Sequence, residues 1–355
     1  MKNKQVLLFA FLILIFCTLS TDNFAQKPFR VGTTTANFLI VGYGSSGAAM
    51  GDAYVSVAND LSSSYWNPAG LGFMDQSEVQ ISYQPWIVDI STYNVGVGLV
   101  LRNVGTLAVN LYQVDYGNME VTTLEMQDGT GEQFTANDLC ISLSYSRRLA
   151  QWFSFGASAK YISSSIWHTK ANAIAVDLGV LVKTHFFSST GNRGDGLNIG
   201  MSISNYGTKM RFDGMDLLNP IDVSPYEQGN YAYTQGQFRM KEWELPLLFR
   251  IGASISPLVI SNNRLILAAD ALHPSFNSES VNLGMQYELL LPSFGKFFLR
   301  GGYKALFLNE SEYGMTFGAG MIVLKMHNVK FKLDYAFRSV GMLGNTHSYT
   351  MGFLF

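Results

Sequence analysis

Thr346-His-Ser-Tyr-Thr-Met-Gly-Phe-Leu-Phe355 closes the chain. In an extended segment, side chains alternate between two faces. His347, Tyr349, Met351, Phe353 and Phe355 then share one face, and Ser348, Thr350 and Gly352 the other. An edge strand of a soluble sandwich sometimes ends on an aromatic residue. A strand that closes a membrane barrel does so for a reason: its outer side meets lipid, and its backbone groups must all be paired within the ring. Tyr349, Phe353 and Phe355 are therefore expected to serve as the assembly signal read by the barrel assembly machinery.

The same two-residue period runs back to Glu78. Val79, Ile81 and Tyr83 alternate with Gln80 and Ser82. Phe153, Phe155, Ala157, Ala159 and Tyr161 alternate with Ser154, Gly156, Ser158 and Lys160. Val329, Phe331, Leu333, Tyr335 and Phe337 oppose Lys330, Lys332 and Asp334. Fourteen such segments fit between residue 78 and the end. The charges decide which face is which. Lys160, Asp177, Arg250, Asp270, Glu288, Arg300, Lys304, Lys330, Lys332 and Asp334 all fall on the polar register. An Arg or Lys facing mid-depth hydrocarbon costs about 2–4 kcal/mol, so this register is expected to face the lumen. The rest of it is mostly Ser, Gly, Asn and Thr, small residues that leave space, so a Lys at Ser142 or Ser158 is expected to be milder than one on the lipid face if the lumen has room. The long connections, around 115–136 and 207–244, are odd-numbered, and tight ones at Arg102-Asn103, Leu149-Ala150, Pro292-Ser293 and Lys325-Met326 are even-numbered. Short periplasmic turns and long outer loops have this parity.

Composition agrees. The chain is 14% charged, with 34 glycines and 14% aromatic residues, against about 25% charged in an average soluble domain. A net charge of -2 gives no basis for a nucleic-acid partner. Lys2 and Lys4, the apolar run from Val6, and Asn23-Phe24-Ala25 read as a signal peptide over 1–25. With that leader removed, Cys140 is the only cysteine, which leaves no intrachain disulfide. Five scattered histidines and no G-x-S-x-G, H-E-x-x-H or Walker loop give no catalytic residues, cofactor or metal site. Asp213, Asp216 and Asp222 have no EF-hand spacing.

Residues 26–77 do not alternate. Gly44 to Asp60 is rich in small residues and reads partly as a short helix, with Asp60 or Ser62 as a cap. Trp66-Asn-Pro-Ala-Gly-Leu71 reads as a rigid turn in which Pro68 holds Asn67 extended and Gly70 takes a left-handed step. This segment is expected to plug the barrel formed by 78–355; a periplasmic tail is the other reading.

Phe29-Arg-Val-Gly-Thr, Gly47-Ala-Ala-Met-Gly-Asp-Ala-Tyr-Val and Tyr65-Trp-Asn-Pro-Ala-Gly-Leu71 resemble the N-terminal signature of the PorV/PorQ family, a branch of the FadL-like outer-membrane barrels. Its signature positions here are Gly47, Met50, Gly51, Asp52, Ala53, Asp60, Trp66, Asn67, Pro68, Ala69 and Gly70. The resemblance implies an all-β, fourteen-stranded antiparallel transmembrane barrel in the outer membrane with an N-terminal plug. It also implies a non-enzymatic role in type IX secretion, with a translocon and cargo C-terminal domains as partners. The alternative is uptake of long-chain fatty acids or other small hydrophobic molecules. That alternative implies an apolar pocket between Ala48–Val57 and the wall, with a lateral break near Gly314–Gly320.

Overall fold

The computed structural model describes residues 31–355 apart from 225, 227–233, 309–310 and 325–328. The signal peptide, Phe29-Arg30, the Lys325-Met326 turn and much of the seventh connection, including Pro225, lie outside the described residues.

Fourteen antiparallel strands form a closed barrel. In chain order they are β1 Glu78–Pro85, β2 Ser91–Leu101, β3 Gly105–Glu120, β4 Gln133–Ala150, β5 Phe153–Ile166, β6 Thr169–Lys183 and β7 Asn198–Gly207. They continue as β8 Leu248–Ile260, β9 Asn263–Pro274, β10 Ser280–Leu291, β11 Gly295–Leu306, β12 Met315–Leu324, β13 Lys330–Ser339 and β14 Asn345–Leu354. Each pairs with its sequence neighbours, and β14 closes the ring on β1 from Glu78↔Leu354 to Tyr83↔Tyr349. Ser77 and Phe355 extend that seam by exchanging two backbone bonds, of 3.1 and 2.9 Å. Pairing of the first strand with the last removes the free edges of the sheet, as a hydrocarbon surrounding requires.

The faces are those the alternation predicts. Ile81, Leu143, Val176, Leu267 and Phe317 are exposed on the outside, while Asn110, Ser158, Asp177, Asp270 and Lys332 are buried inside. Among the described residues no helix is long and apolar enough to cross a membrane; the strands cross it.

Three details differ from the sequence reading. β4 continues through Leu149-Ala150, so the turn falls at Gln151-Trp152. β3 and β4 extend to Glu120 and from Gln133, narrowing the third connection. In the seventh connection, Leu218–Ile221 pairs with Thr234–Gln237 as a small hairpin at the outer end.

Residues 37–74 fill the lumen. A 3-10 turn (Asn37–Ile40), a helix α1 (Ser45–Ala49), a helix α2 (Ser63–Trp66) and a second 3-10 turn (Pro68–Phe73) follow one another. The chain enters near the outer end, where Thr35 N–H donates to Glu244 O at 3.0 Å. It leaves at the periplasmic end through β1. Wall glycines on the polar register make the fit possible: a Cβ at Gly156 would strike Pro68, at Gly200 Val55, and at Gly302 the Met50–Gly51 peptide. The lumen therefore has no spare room at Ser142 or Ser158, which are buried, with Ser158 bonded to Ser144 at 2.7 Å. The expectation of space there is corrected.

Candidate functional site

The interface between plug and wall brings the signature residues together with most of the lumen charges. Gly51 (φ 64°) and Asp52 (φ 65°) make a left-handed turn. Gly51 lies against the backbone of Leu283 and Tyr303, where a Cβ has no space. That turn presents Asp52 to Arg338 on β13 and to Lys304 on β11, the latter at 2.7 Å. Burial alone raises the Asp52 carboxyl, but Arg338 and then Lys304 outweigh it and hold it below its ordinary value.

Lower in the lumen, Lys332 joins Asp60 of the plug to Glu78 of β1, the latter at 3.1 Å. Glu78 also accepts the Leu61 N–H at 3.0 Å. Asp60 additionally accepts from Ser62 N and Oγ at 3.1 and 2.6 Å, which steadies the start of α2. Against the upward push of burial, Lys332 holds the Asp60 carboxyl low. Arg300 pairs with Asp334 and donates to Gln286 at 2.6 Å, and Ser46 of α1 donates to Asp334 at 3.2 Å. Asp270 accepts the Val55 N–H at 2.9 Å. Arg250 lies 5.0 Å from the Tyr65 ring centre, between the ring face and Ser204. Burial pushes the Tyr65 phenol up to about 12, against the opposing pull of Arg250.

Asn67 is extended ahead of Pro68, as the sequence requires. Its amide donates to Val55 O and to Val180 O, both at 3.0 Å, and its Oδ1 accepts from Ala69 N. Trp66 is fully buried, with its indole against Gly47, where a side chain would collide. Met50 and Ala53 are buried in the same core. The Ala69 carbonyl accepts from Ser146 and Ser154, at 3.2 and 2.8 Å. Gly70 takes no left-handed step; it is needed because a Cβ would strike Ala58 O and Ser63.

Of the predicted lumen charges, Lys304 and Lys332 form ion pairs with the plug, while Lys160, Asp177, Glu288 and Lys330 make none with it among the described residues. Lys160 and Asp177 pair with each other and both engage Asn205. Glu288 faces Arg264 at 3.9 Å near the periplasmic rim. Lys330 opens β13 at that rim. Sequence reasoning missed Arg338 and Glu78, although both continue the polar register of their strands. Tyr349, Phe353 and Phe355 are exposed on the outside of the closing seam.

The outer half of the lumen is different. Tyr112, Val114, Cys140, Ile162, Ala171 and Ala173 face inward and pack around Phe38, Leu39, Tyr43 and Met210. Beside this apolar compartment the wall is interrupted. β6 pairs with β7 only from Ala175 onward, and with Asp213–Gly214 only at Thr169 and Lys170. Thr208 caps Ile174, and the chain then turns inward to exchange two 2.9 Å bonds between Met210 and Trp243. Residues 171–173 thus have no ladder partner on that side, and buried Met210 covers the gap. β12 is paired along both sides, so the break expected at Gly314–Gly320 is not there. Around Ala49–Gly51 and Val55 the plug lies in direct contact with wall glycines, and the space between Ala48–Val57 and the wall is confined to the periplasmic side of Tyr54, Ser56 and Val57, where polar and charged side chains share the lining with apolar ones.

Among the described residues no group of three or more His, Cys, Asp or Glu side chains is placed to hold a metal. His168 bonds Asp216 and His347 bonds Tyr335, each at 2.9 Å; His327 lies outside the described residues.

The family model of PorV, described as type IX secretion system protein PorV, matches residues 24–224. The chain belongs to the PorV family. No curated protein matches this chain. In fold, this PorV-family barrel is similar to the toluene transporter TodX of Pseudomonas putida, with a TM-score of 0.54 and 12% identity over 88% of this chain and 96% of that one. It is also similar to a structure described as the CymD monoaromatic hydrocarbon channel, with a TM-score of 0.54 and 11% identity over 88% and 97%. The toluene transporter TbuX of Ralstonia pickettii gives 0.52 and 8% over 88% and 97%. At such identities the likeness concerns the fold. The chain is a multi-pass outer-membrane barrel.

Proposed function

We propose that this PorV-family barrel admits small hydrophobic molecules from the outer leaflet into the apolar compartment of its outer lumen. The observation that carries this reading is the unpaired stretch 171–173 lying directly over buried Met210, Phe38 and Leu39. An interruption of the ladder at the edge of the apolar band is costly in a membrane wall. Behind it Ile162, Ala171, Ala173 and Tyr112 form a packed apolar core with Met210 and Phe38, which a hydrophobic guest enters by displacing those side chains. Onward passage requires the plug to shift, because ion pairs close the middle of the lumen. Similar folds among hydrocarbon channels are compatible with this use.

The test is uptake of a fluorescent apolar probe by proteoliposomes carrying wild type or Ala173→Trp. The bulky side chain overpacks the apolar core behind the gap, and at least a tenfold slower uptake is expected in a variant whose barrel still assembles. Equal rates in both would remove this reading.

A second reading is supported by the family match itself: the barrel works in type IX secretion and holds cargo at its outer loops. The outer hairpin exposes Leu218 and Ile221, with Phe238 just beyond it. Crosslinking from these positions in intact outer membranes tests it. Capture of a secreted protein's C-terminal domain is expected; capture of lipid alone would count against it.

A further inference from the structure

At the periplasmic end, between plug and wall, lies a cavity of about 360 Å³. A row of inward side chains crosses three adjacent strands at its side: Lys183 on β6 pairs in register with Asn198 on β7, which pairs with Ser254 on β8. Ser56 of the plug lies one inward position further along β7, its Cα against Gly200. All four line the cavity. Ser56, Asn198 and Ser254 are 2%, 7% and 2% exposed, yet Ser56 Oγ, Asn198 Oδ1 and Ser254 Oγ have no hydrogen-bond partner. Buried polar atoms are nearly always paired, so each such atom needs an explanation.

The ammonium of Lys183 sits 3.9 Å from the centre of the Phe73 ring, and among the described residues no carboxylate lies within ion-pair distance of it. The neighbouring Arg264 is already engaged by Asp195 at 3.3 Å and by Glu288 at 3.9 Å. Ile266, Phe298 and Leu290 supply an apolar side.

We propose that this vestibule is a binding site for an N-acylated amino acid: a carboxylate flanked by an amide N–H on an apolar body. The two serine hydroxyls donate to the carboxylate, and Lys183 supplies the opposite charge. Asn198 Oδ1 accepts the amide N–H, and the apolar side chain rests against Ile266 and Phe298. A free acylated amino acid and the C-terminal residue of a peptide share this chemistry. The site is independent of the proposed passage through the outer half, since the plug lies between them.

The experiment is calorimetric titration of the detergent-solubilised full chain with N-acetyl-leucine, N-acetyl-dialanyl-leucine, N-acetyl-leucinamide and octanoate. N-acetyl-leucine is expected to bind, with the amide and octanoate at least tenfold weaker. Similar binding of the tripeptide assigns a chain end; its exclusion assigns the free molecule. Ser254→Ala and Lys183→Met are each expected to weaken binding about tenfold, with heat-unfolding midpoints near wild type. If a variant does not fold, the ligand series on wild type still decides. No binding at millimolar concentration, equal binding of N-acetyl-leucinamide, or equal affinity in folded variants would overturn the proposal.

Discussion

Arg338, near the outer end of β13, donates from Nη2 to Oδ1 of Asp52 in the plug, across nearly the whole length of the sequence. Both side chains are buried. The left-handed turn at Gly51-Asp52 is thereby fixed to the wall, and Lys304 meets the same carboxylate from β11.

Asp52→Asn removes the charge and leaves Arg338 and Lys304 buried without it. Breaking one side of a buried pair costs about 3–5 kcal/mol. The variant is expected to lose protection of the plug from added protease before the barrel itself unfolds. Wild-type protection kinetics would show that the pair does not hold the plug.

The plug is expected to withstand mild acid. Asp52 and Asp60 bind protons less tightly in the folded protein than their ordinary value of 3.8. Their stabilisation is therefore complete above that value and is lost as pH falls through the lower folded values. Protease protection followed against pH checks this; release beginning near neutrality would contradict it.

Gly302→Val places branched carbons where the Met50–Gly51 peptide passes. Overpacking of this kind costs about 1–3 kcal/mol. Gly301→Val, whose nearest neighbours leave ordinary contact distance, is expected to cost less. Urea unfolding of the two variants in the same detergent compares them, and equal midpoints would argue against a glycine-specified fit.

Leu267→Lys turns a charge toward lipid and is expected to lower assembled barrel yield, with a cost of about 2–4 kcal/mol. Ser158→Ala, on the inner face, loses only its bond to Ser144, worth about 1 kcal/mol. Heat-modifiability on gels reports both yields. If Ser158→Ala is the more damaging, the faces are wrongly assigned.

Deleting Phe355 removes its two backbone bonds to Ser77, each worth about 0.5–1.5 kcal/mol net, together with the last aromatic side chain of the seam. Slower insertion is expected in a pulse-chase assay. An unchanged rate would show that neither the bonds nor the ring contributes to closure.

The wall was legible because lipid acts on each strand separately. Leu267 must face out and Asp270 in, whatever else the chain does. The plug was legible in its local turns, such as extended Asn67 ahead of Pro68, but not in its contacts. Its partners lie too far along the chain for any local pattern: nothing near Asp52 indicates Arg338, and nothing near Pro68 indicates Gly156. Arg338 was readable as the next polar position after Asp334 and Ala336. Gly156 was readable only as a small residue, and its purpose comes from the backbone it admits. The gap beside 171–173 was not legible at all, because β6 alternates without a fault. The interruption is imposed by Thr208 and Met210 in the segment that follows β7.

Ser45 ties α1 to the final strand, bonding Ser348 and Thr350 through its hydroxyl at 2.9 Å. The earliest part of the described chain thus provides a docking surface for the latest. The stave that shuts the cylinder is also one of those that grip the stopper, so loosening the seam and loosening the plug draw on the same few hydroxyl groups.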